Sequence, residues 1–220
     1  MGLAMPEVIL KNLPFLLSGL RLTAEIALLS IIGGTLLGVA IGVLRYVRVA
    51  VVAQCLDLYV LFMRGTPLLV VLFICYFGLP ALFGYKTTAY WAAVGGFILF
   101  IGAYLAEDVR TGLRSVPQGL VQAAFATGLT RAKVLRLIVV PIALRNVIPN
   151  LFNQYVRLFK FTSVASVIGV NEFTGSAMLV NGREFAPITI IGFIALTYLV
   201  LCFAISAVGR VLYARLAVRT

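Results

Sequence analysis

No histidine occurs anywhere in the chain, and only seven acidic residues stand among its 220. The missing imidazoles exclude His-based acid–base and nucleophilic catalysis. They also remove the commonest transition-metal ligand. Cysteine is scarce too: Cys55, Cys75 and Cys202 lie far apart in apolar surroundings, with no CxxC pair. They are expected to be small packing residues, neither disulfides nor ligands. A glycine-rich phosphate loop with its lysine is also missing, so no ATPase is expected on this chain. Charge of both signs is thin at 11%, against about 25% in an ordinary soluble domain.

Apolar side chains take that place. They make up 62% of the residues, and the mean hydropathy is +1.10. A soluble chain of this size cannot hide so much apolar surface, so the solvent is lipid. The apolar runs are continuous, whereas barrel strands would alternate. A spanning helix needs roughly 20 apolar residues, so about five spans fit. The net charge of +11 would suggest nucleic acid in a soluble protein. Here the bases sit at span ends and in loops, where they set orientation, and no nucleic-acid partner is expected. Glu7 and Pro14 interrupt the N-terminal apolar run, so it does not read as a cleavable signal.

Residues 1–21 read as a short amphipathic lead-in. The first span covers 22–44, with Gly34, Gly38 and Gly42 on one smooth packing face. Arg45 and Arg48 follow as a stop. The second span, 53–79, contains Arg64-Gly65-Thr66-Pro67, which predicts a break in the helix. Arg64 is expected to face the bundle interior, with Asp57 as its partner two turns away. The third span, 88–109, ends with Tyr104, Glu107 and Asp108. Eight basic residues and no acidic one lie between Val109 and Asn171. The fourth span follows Pro141 and Pro149. Its polar residues, among them Asn153, Gln154, Arg157 and Lys160, suggest a face turned to a partner or a substrate path. A loop carrying Glu172 and Glu184 leads to the fifth span, 187–208, and to a basic tail. Most bases then gather on one side: Arg45, Arg48, Arg110, Arg114, Arg131, Lys133, Arg136, Arg145, Arg210, Arg215 and Arg219. The positive-inside rule makes that side cytoplasmic. The expected fold is an all-α integral membrane protein of five transmembrane helices, N-terminus outside and C-terminus inside.

The longest polar interruption is Gln122 to Pro141. Gly128 divides two short apolar-edged runs and suits a turn between helices, and Pro141 suits the first turn of the next helix. The segment therefore predicts a cytoplasmic helix-turn-helix onto which something soluble docks. The alternative is a plain surface loop.

This segment also resembles the cytoplasmic coupling loop of ABC-importer permeases, whose pattern is Glu-Ala-Ala, three residues, Gly, nine residues, Ile-x-Leu-Pro. Here it reads Gln122-Ala123-Ala124, Gly128, then Ile138-x-Val140-Pro141. The spacing is complete. Gln122 replaces the usual Glu and removes a carboxylate that could pair with a base on an ATPase; Val140 replaces Leu. The resemblance extends to polar amino acid uptake permeases through Arg64-Gly65-Thr66-Pro67-Leu68-Leu69, Tyr76 to Pro80, Ala103 to Glu107, Ser115 to Gly119, Thr162-Ser163 and Ser166 to Val170. It implies one permease transmembrane domain over 22–212, with the coupling loop at about 117–141 and a basic cytoplasmic tail at 213–220. It implies a bacterial inner-membrane location, two cytoplasmic ATPase subunits that hold ATP and Mg, a second permease subunit and an extracytoplasmic solute-binding protein. No cofactor is implied on this chain.

Under the same resemblance, the ATPase-coupling residues are Gln122, Ala123, Ala124, Gly128, Leu129 and Pro141. Apolar contacts around Ala123, Ala124 and Leu129 are expected to supply the docking energy, because exposed ion pairs contribute only about 0–1 kcal/mol. The substrate path is expected at Arg64, Glu107, Arg157, Lys160, Thr162 and Ser163. A plainer alternative has Glu107 simply neutralising Arg157 or Lys160. Phe161 stands where the family often has Asp, which weakens a site for a substrate amino group. A channel, a membrane scaffold or an intramembrane enzyme would have no use for the docking pattern.

Overall fold

The helix Ala89–Arg114, α5, is the axis of the molecule. The structure, a computed structural model, describes residues 5–48 and 50–217, and every regular element in that range is helical. Before α5 come α1 (Met5–Val47), α2 (Ala50–Gly65), α3 (Leu68–Phe73) and α4 (Leu79–Phe83). After it come α6 (Gln118–Ala126), α7 (Arg131–Val134), α8 (Val140–Phe161), α9 (Phe173–Glu184) and α10 (Pro187–Ala217). Thr88 starts α5 by accepting the Trp91 N–H at 3.3 Å, the usual service of an N-cap threonine. α5 then packs on α1, α2, α3 and α8, and its small residues Ala92, Ala93, Gly96, Ala103 and Ala106 are all buried.

The closest of these packings is α1 on α5. Gly34, Gly38 and Gly42 lie against Ile101 to Val109, and a Cβ on Gly38 would meet Leu105 Cβ at 2.5 Å and the Gly102 carbonyl oxygen at 2.9 Å. Helices approach this closely only where side chains are missing. α1 is a single helix of 43 residues, about 65 Å long at roughly 1.5 Å per residue. Residues 5–21 are therefore the opening turns of the same helix, with no break at Pro14.

Two widened π-turns mark this fold, Ile74–Gly78 and Leu135–Val139. Each ends two residues before a proline, Pro80 and Pro141 respectively. A proline has no N–H to donate and its ring collides with the carbonyl four residues back. Those carbonyls belong to Tyr76 and Leu137, both inside the widened turns, where the i→i+5 pattern makes room. Pro141 thus continues a helix already running from Arg131, where the sequence predicts a new start.

Among the described residues, four helical stretches are long and apolar enough to cross a membrane: Glu7–Val47, Ala89–Arg114, Arg131–Ile168 and Pro187–Val211. A fifth crossing is available if the pair Val51–Gly65 and Leu68–Phe83, bent by 112°, counts as one broken span. The bend falls at Thr66-Pro67, where the sequence predicts it. The chain is a multi-pass membrane protein. The segment carrying Glu172 and Glu184, expected to be a loop, is instead α9, which follows a 3-10 turn at Thr162–Ile168 and packs on α1 and α10. Of the expected basic tail, residues 218–220 lie outside the described residues.

Candidate functional site

Charged side chains from α1, α2, α5 and α8 converge beside Tyr104. Arg45, at the C-terminal end of α1, is only 4% exposed. It donates from Nε to Asp57 at 2.6 Å and from Nη1 to Glu107 at 2.8 Å. Arg110 reaches the same Asp57 oxygen at 3.0 Å. The expected pairing of Arg64 with Asp57 is not formed: Asp57 is occupied by Arg45 and Arg110. Arg64 has Glu107 at 3.8 Å instead. Two turns of helix separate Arg64 from Asp57 by about 10 Å along the axis, whereas α1 and α5 bring guanidinium groups directly to the carboxylate. Glu107 likewise does not neutralise Arg157 or Lys160, since its close partner is Arg45.

Tyr104 gathers two further cations. The Arg64 guanidinium lies 5.5 Å from its ring centre and that of Arg157 lies 5.6 Å from it, within the range of cation–π attraction. One turn before Arg157, Gln154 donates to Asp108 at 2.9 Å, while its Oε1 is buried without a partner. Arg157 and Lys160 are exposed, and neither forms an ion pair among the described residues. The Thr162 and Ser163 hydroxyls turn back on their own helix, donating to Phe159 and Lys160 carbonyls at 2.7 and 2.8 Å. Phe161 sets its ring edge-on to Phe100, with centroids 6.1 Å apart, and brings no charge. Of the expected path residues, Arg64, Glu107 and Arg157 meet around Tyr104, with Lys160 one turn beyond. Thr162 is fully buried elsewhere.

The segment Gln118 to Val139 covers one end of the α5–α8 pair. Gly128 makes the turn with φ +81°, and Leu129 N–H closes it on the Ala124 carbonyl at 3.4 Å. Ala124 faces inward, 6% exposed, in a cluster with Val109, Leu113, Val116, Val134, Val139, Ala143 and Val147. Leu129 packs partly against the same cluster. The apolar residues of the run before Gly128 are therefore split between two faces. Ala124 anchors the segment to its own chain, while Leu120, Gln122, Ala123 and Phe125 are left exposed. Pro141 is exposed as well.

A third polar group escaped the sequence. Glu172 caps α9 and is completely buried. It accepts the Thr174 and Gly175 N–H groups at 3.0 and 2.9 Å, the Thr23 hydroxyl at 3.1 Å and the Tyr198 hydroxyl at 3.2 Å. Burial pushes its carboxyl above the ordinary range, against the pull of those donors. Glu184, at the other end of α9, is held below its ordinary range by hydrogen bonds from Lys11 and Asn12. A spacing signal for Glu172 did exist, since an acidic residue before a helical run is an N-cap pattern. Nothing local told that Thr23 and Tyr198 would enclose it.

Residues 34–218 match the family described as the binding-protein-dependent transport system inner membrane component. A probable amino-acid ABC transporter permease of Bacillus subtilis, YckA, is 36% identical over 196 residues, covering 89% of this chain and 86% of that protein. A probable glutamine ABC transporter permease of the same organism, GlnP, is 35% identical over 210 residues, covering 93% and 95%. The crystal structure of an amino acid ABC transporter with histidines superposes with a TM-score of 0.91 at 28% identity, covering 98% of this chain and 100% of that one. The methionine transporter MetNI, at 18% identity and a TM-score of 0.78, shares the fold.

Proposed function

Because this chain belongs to the family of inner membrane components of binding-protein-dependent transport systems, we propose that it is the membrane-spanning permease subunit of an ATP-driven importer of polar or charged amino acids. ATP and Mg belong to two cytoplasmic ATPase subunits, and a second permease subunit completes the path. An extracytoplasmic binding protein delivers the substrate in the bacterial inner membrane. The basic segments between and after the spans set the loop and the C-terminus in the cytoplasm.

The observation that carries this reading is the attachment of the Gln122 segment. Its inner face is joined through Ala124 and Val134 to the ends of α5 and α8, and its outer face offers Leu120, Ala123 and Phe125. A short helix held on one side and free on the other acts as a lever. When two ATPases close on ATP, a push on α6 passes through that cluster to α5 and α8. Those helices carry Tyr104, Glu107, Gln154 and Arg157, so the motion reaches the charged site directly. Arg64, on the far side of the Thr66-Pro67 bend from α3, completes the substrate path.

The reading is tested by uptake. Cells that express this chain with its ATPase, partner permease and binding protein should accumulate labelled amino acids against a gradient. Accumulation should stop when ATP is depleted. Passive flux that persists without ATP would instead make the chain a channel.

A further inference from the structure

Resting on that reading, we infer that the path through this subunit is built for amino acids that carry a second carboxylate, and discriminates against cationic ones. Each carboxylate near Tyr104 already has a close partner. Glu107 is held by the buried Arg45 at 2.8 Å and Asp57 by Arg45 and Arg110. Asp108 accepts from the neutral Gln154 at 2.9 Å and keeps its charge, so it offsets only one of the three cations that remain. The cations that remain, Arg64, Arg157 and Lys160, come from two different helices, and all three are exposed. Arg64 keeps only a long contact of 3.8 Å to Glu107. Arg157 and Lys160 have no carboxylate partner among the described residues.

Two guanidinium groups brought to one tyrosine ring repel each other, and the ring offsets only part of that cost. An anion between them relieves it. Both groups also have the planar fork that takes a carboxylate through paired hydrogen bonds. Arg157 and Lys160 are three residues apart on α8, one helical turn, so a second carboxylate can reach Lys160 while the first rests on a guanidinium. A zwitterion with a neutral side chain fills one of these positions. A substrate with a cationic side chain adds a like charge to an already cationic face, where fields are stronger than in bulk water. Phe161 supplies apolar surface at this place and no carboxylate to pair with an ammonium or guanidinium.

The test is competitive uptake in cells carrying the complete system, with labelled glutamate, glutamine and arginine compared in the wild type and in Arg157→Gln, Arg157→Lys and Lys160→Gln variants. The binding protein is unchanged throughout, so differences between variants come from the permease. Wild type should favour glutamate over arginine. Arg157→Gln and Lys160→Gln should lower glutamate uptake at least about tenfold relative to glutamine, an effect equal to about 1.4 kcal/mol. Arg157→Lys should keep most of the glutamate preference, which separates a charge effect from misfolding. Preference for arginine in the wild type, or an equal loss for all three substrates in the charge-removing variants, overturns the inference while leaving the importer reading intact. Absence of ATP-dependent uptake of every amino acid, with the ATPase present in the purified complex, overturns the importer reading and this inference with it.

Discussion

Glu172 shows how one buried carboxylate can join three helices without a counter-ion. It caps α9 through two backbone N–H groups, ties α1 through Thr23 and ties α10 through Tyr198. Thr23 is itself fully buried and accepts the Phe173 N–H at 2.9 Å, so the group is closed on every side. Replacing Glu172 with Ala removes the shared acceptor of four donors. With a net of about 1 kcal/mol per hydrogen bond and more for donors left unmet, a loss of roughly 2–4 kcal/mol is expected. Thermal unfolding in detergent should show a clearly lowered midpoint for Glu172→Ala. An unchanged midpoint would mean that the cap contributes nothing. Arg45 makes the complementary case. Its sequence position reads as a membrane stop, yet it is among the most deeply buried charges and bridges Asp57 to Glu107. Its partners come from other helices, which is why no local spacing announced it.

At the level of elements, the α1–α5 contact is the one on which the bundle is hung. The four-residue glycine spacing was legible in the sequence because it depends on one helix alone. The partner surface, Ile101 to Val109, was not legible, since choosing it requires the fold. Gly38→Val should cost at least about 2 kcal/mol by forcing apart two backbones. Gly95→Val, whose added Cβ meets nothing within 4 Å, should cost much less. Monodisperse yield after mild heating of the two detergent-solubilised variants distinguishes them. Equal yields would contradict the close packing seen here. The π-turns before Pro80 and Pro141 had a readable cause, the prolines. Their effect could be read two ways from sequence, as a helix start or as a bulge, and the running hydrogen bonds on both sides favour the bulge. α9 was hidden for a different reason. Its sequence, Phe173 to Glu184, mixes glycine, asparagine and charges, and it becomes helical because Val8, Leu16 and Ile190 cover its apolar side.

For the whole molecule, composition alone forces the main conclusion: a chain with this little charge and this much apolar surface needs lipid. The second and third spans followed from hydropathy to within a few residues, whereas α1 begins well before its expected start, the fourth stretch begins at Arg131 and α10 runs well past its expected end. The charged site was legible only in part. Arg64, Glu107 and Arg157 were singled out because ionisable groups at membrane depth demand a reason, but their pairing was decided by helix packing. In the Gln118–Val139 segment, the turn at Gly128 could be read from the sequence, and the inward side of Ala124 could not. That division between an anchored and a free face makes the account testable at its centre. Membranes should be solubilised from cells carrying the tagged permease and its candidate ATPase, and the permease purified as wild type, Ala123→Asp, Phe125→Asp and Leu82→Asp. Leu82 is a control, exposed at 78% on α4 and remote in sequence from the Gln118–Val139 segment. Wild type and Leu82→Asp should bring down the ATPase, while Ala123→Asp and Phe125→Asp should insert normally and lose it. Retention of the ATPase by both segment variants, or its absence from the wild type, would contradict the claim that this segment couples the chain to ATP.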